Sequence, residues 1–422
     1  MSLNRFFCFC AAATMLAACR PGVVRTTASW PRADSAAIRR DIEYLASPAL
    51  AGRLTGTAGN DSAASYIAQR YKSLKLEGTL QRFIARPPAH AGTIPPSWPT
   101  QNVFAILPGR DPALRGQYVV VGAHFDHLGT ASDNALDPTV KGAVRLGADD
   151  NASGTAAVLE LARLFTANPP RRSIVFANFT GEEEGLLGSS YFVDNSPVPL
   201  DSVGAMVNFD MVGRLRNDRL IVFGVATATE LPRILDSANA IEPLKVAAQG
   251  DGFGPSDHSS FYAKNIPVLH FFTDSHEQYH RATDVPATIN AAGEARVVAF
   301  AERVIRDLAD RPARLTFVRA PATASSSSSS RQGSGVYLGS IPDMAGSETP
   351  GLRLTGVSPG SPADSAGLKA GDVIVEFHGM PVKDLYQYSD ALYAHKPGDE
   401  VSIVVIRDGK RLTLKAKLGK RD

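Results

Sequence analysis

Apolar positions along the chain follow two different periods, one helical and one typical of strands. Helical spacing covers residues 34–46, 60–76, 156–165 and 292–308. Short apolar runs rich in β-branched residues predict strands at 103–107, 118–123, 173–179, 205–209, 220–225 and 267–272. Helices lie between several of these strands, and such alternation favours an α/β domain with a mostly parallel central sheet flanked by helices. Proline and polar residues predict a loop over residues 86–100.

The pattern changes after residue 315, where the α/β domain that begins at residue 33 is predicted to end. Residues 316–334 contain six consecutive serines among Ala, Pro and Gly, a composition typical of a flexible linker. A small β-rich domain is predicted over residues 335–420. Its last part, residues 401–407 and 412–418 on either side of Asp408-Gly409, predicts a hairpin.

The first 18 residues have the pattern of a secretory signal. Arg5 precedes an apolar stretch that closes with Leu16-Ala17-Ala18-Cys19. This ending resembles the bacterial lipobox, which implies a lipoprotein signal peptide over residues 1–18, lipidation of Cys19 and a tether over residues 19–32. The resemblance implies a lipid-anchored protein of the cell envelope, in the outer membrane facing the periplasm if the cell is Gram-negative. The alternative is an ordinary signal with an incidental cysteine.

Charge and cysteine usage narrow the chemistry. The formal net charge is +2 with no long basic run, which argues against nucleic-acid binding. No apolar run past residue 20 is long enough to span a bilayer. All three cysteines lie within the first 19 residues, so a metal bound by the mature chain must be held by His, Asp and Glu.

Acids and histidines follow one predicted strand after another. They are His124, Asp126 and His127 after the strand at 118–123, Glu182, Glu183 and Glu184 after 173–179, Asp210 after 205–209, and His280 and Asp284 beyond 267–272. Asp149 and Asp150 stand between glycines just before the helical run at 156–165. Ligands of open α/β sheets bind at the carboxyl ends of strands. One such residue is usually structural, but the repetition predicts a site whose two histidines and four carboxylates suit two divalent ions sharing one carboxylate.

Five motifs together resemble the co-catalytic di-zinc aminopeptidase family, which includes secreted leucyl-type aminopeptidases and glutamate carboxypeptidase relatives. The motifs are His124-Phe125-Asp126, Gly147 to Gly154, Gly181-Glu182-Glu183-Glu184-Gly185-Leu186, Asn208-Phe209-Asp210 and Tyr279-His280. The resemblance covers about residues 33–310 and includes a leading segment from Leu45 to Thr57.

The resemblance implies a cofactor of two Zn²⁺ ions, with other divalent metals possible. His124 and Asp210 would bind one ion, and Glu183 and His280 would bind the other. Asp150 would bridge the two.

Further roles follow from the same resemblance. Glu182 would be the general base, Asp126 would orient His124, and Tyr279 is a candidate oxyanion donor. Glu184 is expected to face solvent or to cap. A shift of one position within the three glutamates stays open and would move both the base and the ligand. No ligand role falls to the remaining nearby histidines, His127, His258, His270 and His276.

The C-terminal segment resembles a bacterial PDZ domain through Pro359 to Leu368 and Gly371-Asp372-Val373-Ile374. The resemblance implies that Leu338, Gly339 and Ile341 bind a peptide carboxylate, with the peptide added to the domain as a strand. Ser340 departs from the usual pattern of glycine followed by a hydrophobic residue. Residues 385–394 would form a helix on the other wall of the groove, and protein C-termini are the possible partners. The alternative is a module that only packs on the enzyme.

The most specific interpretation is a metal-dependent exopeptidase. A bridging water activated by two zinc ions would attack the scissile carbonyl, and Glu182 would pass its proton to the leaving amine. An aminopeptidase acting on peptides with free N-termini is favoured over a carboxypeptidase by family frequency alone. Another class of protein stays open, a non-catalytic PDZ-containing surface lipoprotein that kept the peptidase fold.

Overall fold

A computed structural model describes Met1 and most of the chain from residue 31 onward. The described residues are 1, 31–86, 97–131, 135–137, 140, 142–250, 252–319, 336–342, 351–357, 360–382, 387–388, 391–392 and 394–420. Outside them lie Cys19, the signal peptide after Met1, the tether up to residue 30 and the linker after residue 319. The helix predicted at 385–394 is described only at residues 387–388, 391–392 and 394. Contacts divide the chain into two units, Met1–Pro31 and Arg32–Asp422, and every element described below belongs to the second.

An eight-stranded sheet organises the larger domain. Its strands are β1 (Thr79–Ala85), β2 (Trp98–Leu107), β3 (Tyr118–His124), β4 (Ser173–Phe179), β5 (Val203–Phe209), β6 (Arg219–Phe223), β7 (Lys245–Ala248) and β8 (Val268–Phe272). Their order across the sheet is β1-β2-β4-β3-β5-β8-β6-β7. The four central strands β4, β3, β5 and β8 run parallel, as do β6 and β7, whereas β1–β2, β2–β4 and β6–β8 are antiparallel pairs.

Helices cover both faces of this sheet. They are α1 (Ser35–Leu45), α2 (Ala58–Ser73), α3 (Gly154–Ala167), α4 (Leu187–Asp194), α5 (Leu231–Asn239), α6 (His258–Tyr262) and α7 (Ala291–Asp310). Side chains that alternate along β3 enter different cores. Val119 and Val121 pack in the core that includes α1, α2, α3 and α7. Val120 packs on the opposite face with Phe192 of α4 and Phe261 of α6. Burial on both faces explains why the central strands read as continuous apolar runs.

Side-chain caps fix where three helices begin. Asp34 accepts hydrogen bonds from the backbone N–H groups of Ala36 and Ala37 at the start of α1. Thr57 does the same for Asn60 in α2, and the Asn290 side chain caps α7. These caps satisfy N–H groups that a first helical turn leaves unpaired.

The C-terminal domain is rich in β-strands and has its own hydrophobic core around Ile374, Phe377 and Ile403. Its elements are β9 (Val336–Tyr337), β10 (Ser340–Pro342), β11 (Leu352–Val357), α8 (Pro362–Ser365), β12 (Val373–Phe377), β13 (Met380–Pro381), β14 (Glu400–Arg407), β15 (Lys410–Lys417) and β16 (Gly419–Lys420). The main sheet has the order β10-β11-β12-β14-β15, β13 pairs with β12, and β9 pairs with β16.

The predicted α/β class, the six predicted strands and the four predicted helices are confirmed, and β4 has the predicted bounds. The C-terminal hairpin is confirmed as β14–β15, with Asp408 and Gly409 at positive φ as a tight two-residue turn requires. The loop predicted over 86–100 is wrong at its end, because Trp98 opens β2 and pairs with Ala85 of β1. Within the described residues, no helix is both long and apolar enough to cross a membrane.

Candidate metal centre

Four neighbouring parallel strands deliver the candidate ligands to one edge of the sheet. His124 is the last residue of β3, Asp210 directly follows β5, and Glu183 follows β4. His280 lies in the loop beyond β8, and Asp150 lies in the turn that leads into α3. Since parallel strands end at a common edge, residues far apart in sequence meet there.

The first half-site forms around the His124 ring. Its Nε2 lies 3.4 Å from Oδ1 of Asp150 and 3.4 Å from Oδ1 of Asp210. Glu182 joins this group, since ligand atoms of His124, Glu182 and Asp210 all lie within 4.8 Å of one another. The structure therefore brings together the proposed first ligand pair, the proposed bridge and the proposed base.

The second half-site forms around His280. Its Nε2 lies 3.1 Å from Oδ2 of Asp150 and 3.2 Å from Oε2 of Glu183. Asp150 thus turns one oxygen toward each half-site. His127, to which the sequence assigned no ligand role, also reaches this half-site, with Nδ1 2.7 Å from Oε1 of Glu183.

The donor set fits two divalent ions of the zinc type. Atoms 3.1–3.4 Å apart can share one ion at the ~2.0–2.2 Å bond lengths typical of zinc. Oδ1 of Asp210 is buried without a hydrogen-bond partner among the described residues, although it faces His124. A buried acceptor without a hydrogen-bond partner destabilises the folded protein unless a cation binds it.

Asp126 supports the first half-site from behind. Its side chain is completely buried, and Oδ1 lies 3.6 Å from Nδ1 of His124, on the side of the ring away from the ligand cluster. The same carboxylate accepts hydrogen bonds from the backbone N–H groups of Glu182 (3.3 Å) and Glu183 (3.4 Å). One buried carboxylate therefore holds the segment that carries the base and the second ligand.

Glu184 is half-buried, and its carboxylate contacts the leading segment of the domain. Its Oε2 accepts a 2.8 Å hydrogen bond from the Thr55 hydroxyl, which also lies 3.3 Å from Oδ2 of Asp126. Burial and the neighbouring Asp126 carboxylate raise the pKa of Glu184 to about 8. The leading segment that contains Thr55 thus reaches the centre directly, a contact that sequence reasoning missed.

Ser256 is a further residue that the sequence did not assign to the site. Its hydroxyl donates to Oδ2 of Asp210 at 2.8 Å and accepts a 2.8 Å bond from Nδ2 of Asn208. Asn208 in turn lies 3.1 Å from Nδ1 of His270. The Ser256 hydroxyl therefore orients a candidate ligand, Asp210.

The bridging carboxylate sits on a backbone held by Asp284. The Asp284 carboxylate accepts hydrogen bonds from the N–H groups of Asp149 (3.0 Å) and Asp150 (3.1 Å). Asp149 accepts from Gly213 N–H at 2.7 Å and lies 3.0 Å from Nε2 of His276. The peptide bond from Asp150 to the next residue is cis.

Arg53 joins the segments that carry these ligands. Its guanidinium is fully buried and donates to four backbone carbonyls, those of Leu45, Phe125, Leu146 and Gly147. Burial lowers the pKa of Arg53 to about 10, against the attraction of the nearby carboxylates. Arg53 therefore remains a cation at neutral pH and partly balances the acids of the centre.

The two neighbouring glutamates differ in their electrostatic surroundings. Burial raises the pKa of Glu182 well above its ordinary value, with His124 opposing and Glu183 adding to the rise. Burial also raises the pKa of Glu183, but His280 and His127 outweigh it and hold this pKa well below its ordinary value. Environments that push the pKa values of two neighbouring acids apart favour different tasks for them. Here they favour Glu182 as the proton carrier and Glu183 as the cation-binding anion.

The remaining predicted site residues lie as follows. The Tyr279 ring stacks on His280 with centroids 3.8 Å apart. In the C-terminal domain, the Leu338 side chain is buried in the core, and its carbonyl accepts from Ala363 N–H at 2.8 Å. Gly339 has φ +86°, and Ile341 pairs with Gly356 across β10 and β11. The core position of Leu338 leaves only its backbone N–H for a peptide carboxylate.

Two families match separate parts of the chain. Residues 102–305 match peptidase family M28, and residues 335–418 match the PDZ domain family.

Curated relatives match over part of their length. Leupeptin-inactivating enzyme 1 of Streptomyces exfoliatus is 28% identical over 269 residues, which cover 62% of this chain and 55% of that protein. A probable leucine aminopeptidase of Trichophyton verrucosum is 30% identical over 203 residues, which cover 45% of this chain and 51% of that protein. The alkaline phosphatase isozyme conversion protein of Escherichia coli is 33% identical over 141 residues, which cover 33% of this chain and 40% of that protein. The chain therefore spans about half the length of the curated relatives it matches.

Solved structures of the same fold include a zinc aminopeptidase from Bacillus subtilis, with a TM-score of 0.55, 19% identity, and 67% of this chain and 96% of that chain covered. A Zn-dependent exopeptidase from Parabacteroides distasonis has a TM-score of 0.56 and 19% identity, and the match covers 66% of this chain and 100% of that chain. A glutaminyl cyclase from Bacteroides thetaiotaomicron has a TM-score of 0.55 and 19% identity, with 66% and 99% covered. At these identities the likeness shows the fold.

The buried imidazole of His270 predicts a loss of stability in acid. Burial lowers its pKa from 6.5 to about 4, so the unfolded chain takes up the proton first as the pH falls. The contribution is complete above about pH 6.5 and declines as the pH falls toward about 4, by up to ~3 kcal/mol. We expect His270→Gln, which cannot titrate, to flatten the fall in unfolding free energy between pH 7 and pH 4.5.

Urea unfolding of the metal-free protein checks this through tryptophan fluorescence, because both tryptophans, Trp30 and Trp98, precede the C-terminal domain. His395→Gln removes an imidazole from that C-terminal domain and should follow the wild type. Equal pH dependence of the wild type and His270→Gln would contradict the argument.

Proposed function

We propose that the chain is a metal-dependent exopeptidase that removes N-terminal residues from peptides, because residues 102–305 match peptidase family M28 and residues 335–418 match the PDZ domain family. The observation that carries the proposal is the position of Asp150 between two half-sites, with Oδ1 toward His124 and Oδ2 toward His280. A carboxylate shared in this way suits two ions.

Two zinc ions fit the proposed ligands. His124 and Asp210 would hold one, Glu183 and His280 the other, and Asp150 both. When bound, such ions polarise a carbonyl and lower the pKa of water, so that hydrolysis proceeds at neutral pH.

Glu182 is proposed to move the proton. It lies in the first half-site, and the pKa raised by burial lets it hold a proton taken from the attacking water. Glu182 then gives this proton to the departing amine, as a general base that becomes a general acid. Asp126 would keep the His124 ring in position throughout.

One relative supports an aminopeptidase over a carboxypeptidase. The protein of Trichophyton verrucosum that is 30% identical over 203 residues is a probable leucine aminopeptidase.

A paired substrate set tests the proposed specificity. The zinc-loaded protein should hydrolyse leucine p-nitroanilide and a peptide with a free N-terminus. It should leave the N-acetylated peptide of the same sequence intact, because the blocked amine carries no charge. Release of the C-terminal residue from both peptides would identify a carboxypeptidase instead.

The roles of the two glutamates predict different losses. Glu182→Gln should retain both zinc ions and lose about 10²–10⁴-fold in kcat, the usual contribution of a general acid or base. Glu183→Gln should instead weaken the binding of one ion. Elemental analysis together with steady-state kinetics distinguishes the two variants, and the reversed pattern would mean that base and ligand occupy each other's positions.

The PDZ domain is proposed to bind protein or peptide C-termini at β10 and thereby favour longer substrates. All proposed catalytic residues lie before residue 320, and the hydrophobic core of the PDZ domain contains none of them. A tethered module raises the local concentration of what it binds. Truncation after Ala320 should leave hydrolysis of the small anilide nearly unchanged and slow the cleavage of long peptides with a free C-terminus. Loss of anilide hydrolysis would mean that the module completes or stabilises the active site.

The location of the protein in the cell is proposed from the segment Leu16-Ala17-Ala18-Cys19. Lipidation there would hold the enzyme in the cell envelope, at the outer membrane facing the periplasm in a Gram-negative cell. Fractionation of cells that express the full chain or Cys19→Ala decides this, and a variant that stays with the membranes would refute lipid anchoring at Cys19.

A further inference from the structure

His127 is a histidine of the second half-site to which the proposed metal ligation gives no role. We propose that His127 is a positioning residue of the second half-site, which donates its Nδ1–H to Oε1 of Glu183 and fixes this carboxylate for the second metal ion. The inference rests on the proposed metal-dependent function.

The two carboxylate oxygens of Glu183 lie next to different histidines. Oε1 lies 2.7 Å from Nδ1 of His127, a normal length for a charge-assisted hydrogen bond. Oε2 lies 3.2 Å from Nε2 of His280, the proposed ligand of the same ion. Nδ1 of His127 is 3.8 Å from Asp150, too far for a hydrogen bond. His127 therefore acts on Glu183 and not on the shared carboxylate.

The chemistry of the His127–Glu183 hydrogen bond decides which ring nitrogen of His127 is the donor. An ionised carboxylate only accepts hydrogen bonds, so Nδ1 of His127 must carry the proton. Nδ1 is therefore the donor and Oε1 of Glu183 the acceptor of this hydrogen bond. A metal-ligating carboxylate held by a hydrogen bond in this way binds its ion in a prepared orientation.

A glycine makes room for the imidazole. Gly147 has φ +59°, and a Cβ on it would lie 2.4 Å from Cγ and 2.5 Å from Cδ2 of His127. The ring also meets His280 edge to face, with centroids 5.8 Å apart and an interplanar angle of 72°. His127 is thus confined between the backbone that leads to Asp150 and the ligand His280. A confined donor is what a positioning role requires.

Stepwise metal binding tests the role with a readout that is independent of turnover. Cobalt(II) is titrated into metal-free full-length protein against a competing chelator, and the visible absorption is followed at each step. In His127→Ala the second binding constant should fall about 10–100-fold, the usual cost of losing such a supporting hydrogen bond, and the first should stay unchanged. His127→Asn should recover most of the loss, since its amide can donate from the position of Nδ1.

His258→Ala is the matched control. This histidine is also buried but stacks on His270, with ring centroids 4.5 Å apart, and it makes no contact with Glu183 among the described residues. Its removal should leave the second binding constant unchanged. Circular dichroism checks that each variant is folded, and His127→Asn carries the comparison with the wild type if the alanine variant is not.

The outcomes separate this inference from the function on which it rests. A wild type that binds two ions, with an unchanged second constant in folded His127→Ala, would overturn the positioning role alone. An asparagine variant as weak as the alanine variant, with a cobalt spectrum that has lost a nitrogen donor, would make His127 a ligand and overturn it as well. A wild type that binds a single ion would refute the proposed function itself.

Discussion

The structure depends on burying several carboxylates together at one edge of a sheet. Two unit charges 4 Å apart interact with about 4 kcal/mol at the effective dielectric of a protein, and each buried charge loses hydration as well. Asp126, Asp150, Glu182, Glu183 and Asp210 all lie in this region. Such a cluster is stable only where cations and hydrogen-bond donors meet it. The imidazoles, Arg53 and backbone N–H groups supply part of this compensation, and two divalent ions would supply the rest.

Much of the surrounding fold positions donors for that cluster. Backbone N–H groups converge on Asp126 from the segment after β4 and on Asp284 from the turn before α3. Arg53 joins the end of α1, the segment after β3 and that same turn through their carbonyl oxygens. A metal centre built from loops is thereby tied to rigid elements, which fixes ligands before any ion arrives.

The sequence allowed the sheet centre and the acids and histidines at the strand ends to be predicted for one reason, whereas the assignment of ligands among them came from the family resemblance. Strands buried on both faces leave long apolar runs, and polar residues at their carboxyl ends are conspicuous beside them. The edge strands β1 and β7 were missed, because half-exposed Thr79–Ala85 and the short Lys245–Ala248 lack such runs. The contacts of Thr55, Ser256 and His127 were missed for another reason. Their partners lie 129, 46 and 56 positions away, and no spacing in the sequence encodes those approaches.

Asp150 is proposed to hold two metal ions at once, and the rest of the centre is built on this carboxylate. Zinc content per chain, measured after saturation and removal of weakly bound metal, tests it most directly. The wild type should retain two ions, and Asp150→Asn should lose both together with activity, because each half-site loses a charged donor. Asp41→Asn removes a buried carboxylate that pairs with Arg70 in the same domain, and it should keep both ions. One tightly bound ion in a fully active wild type, or two in Asp150→Asn, would contradict the account.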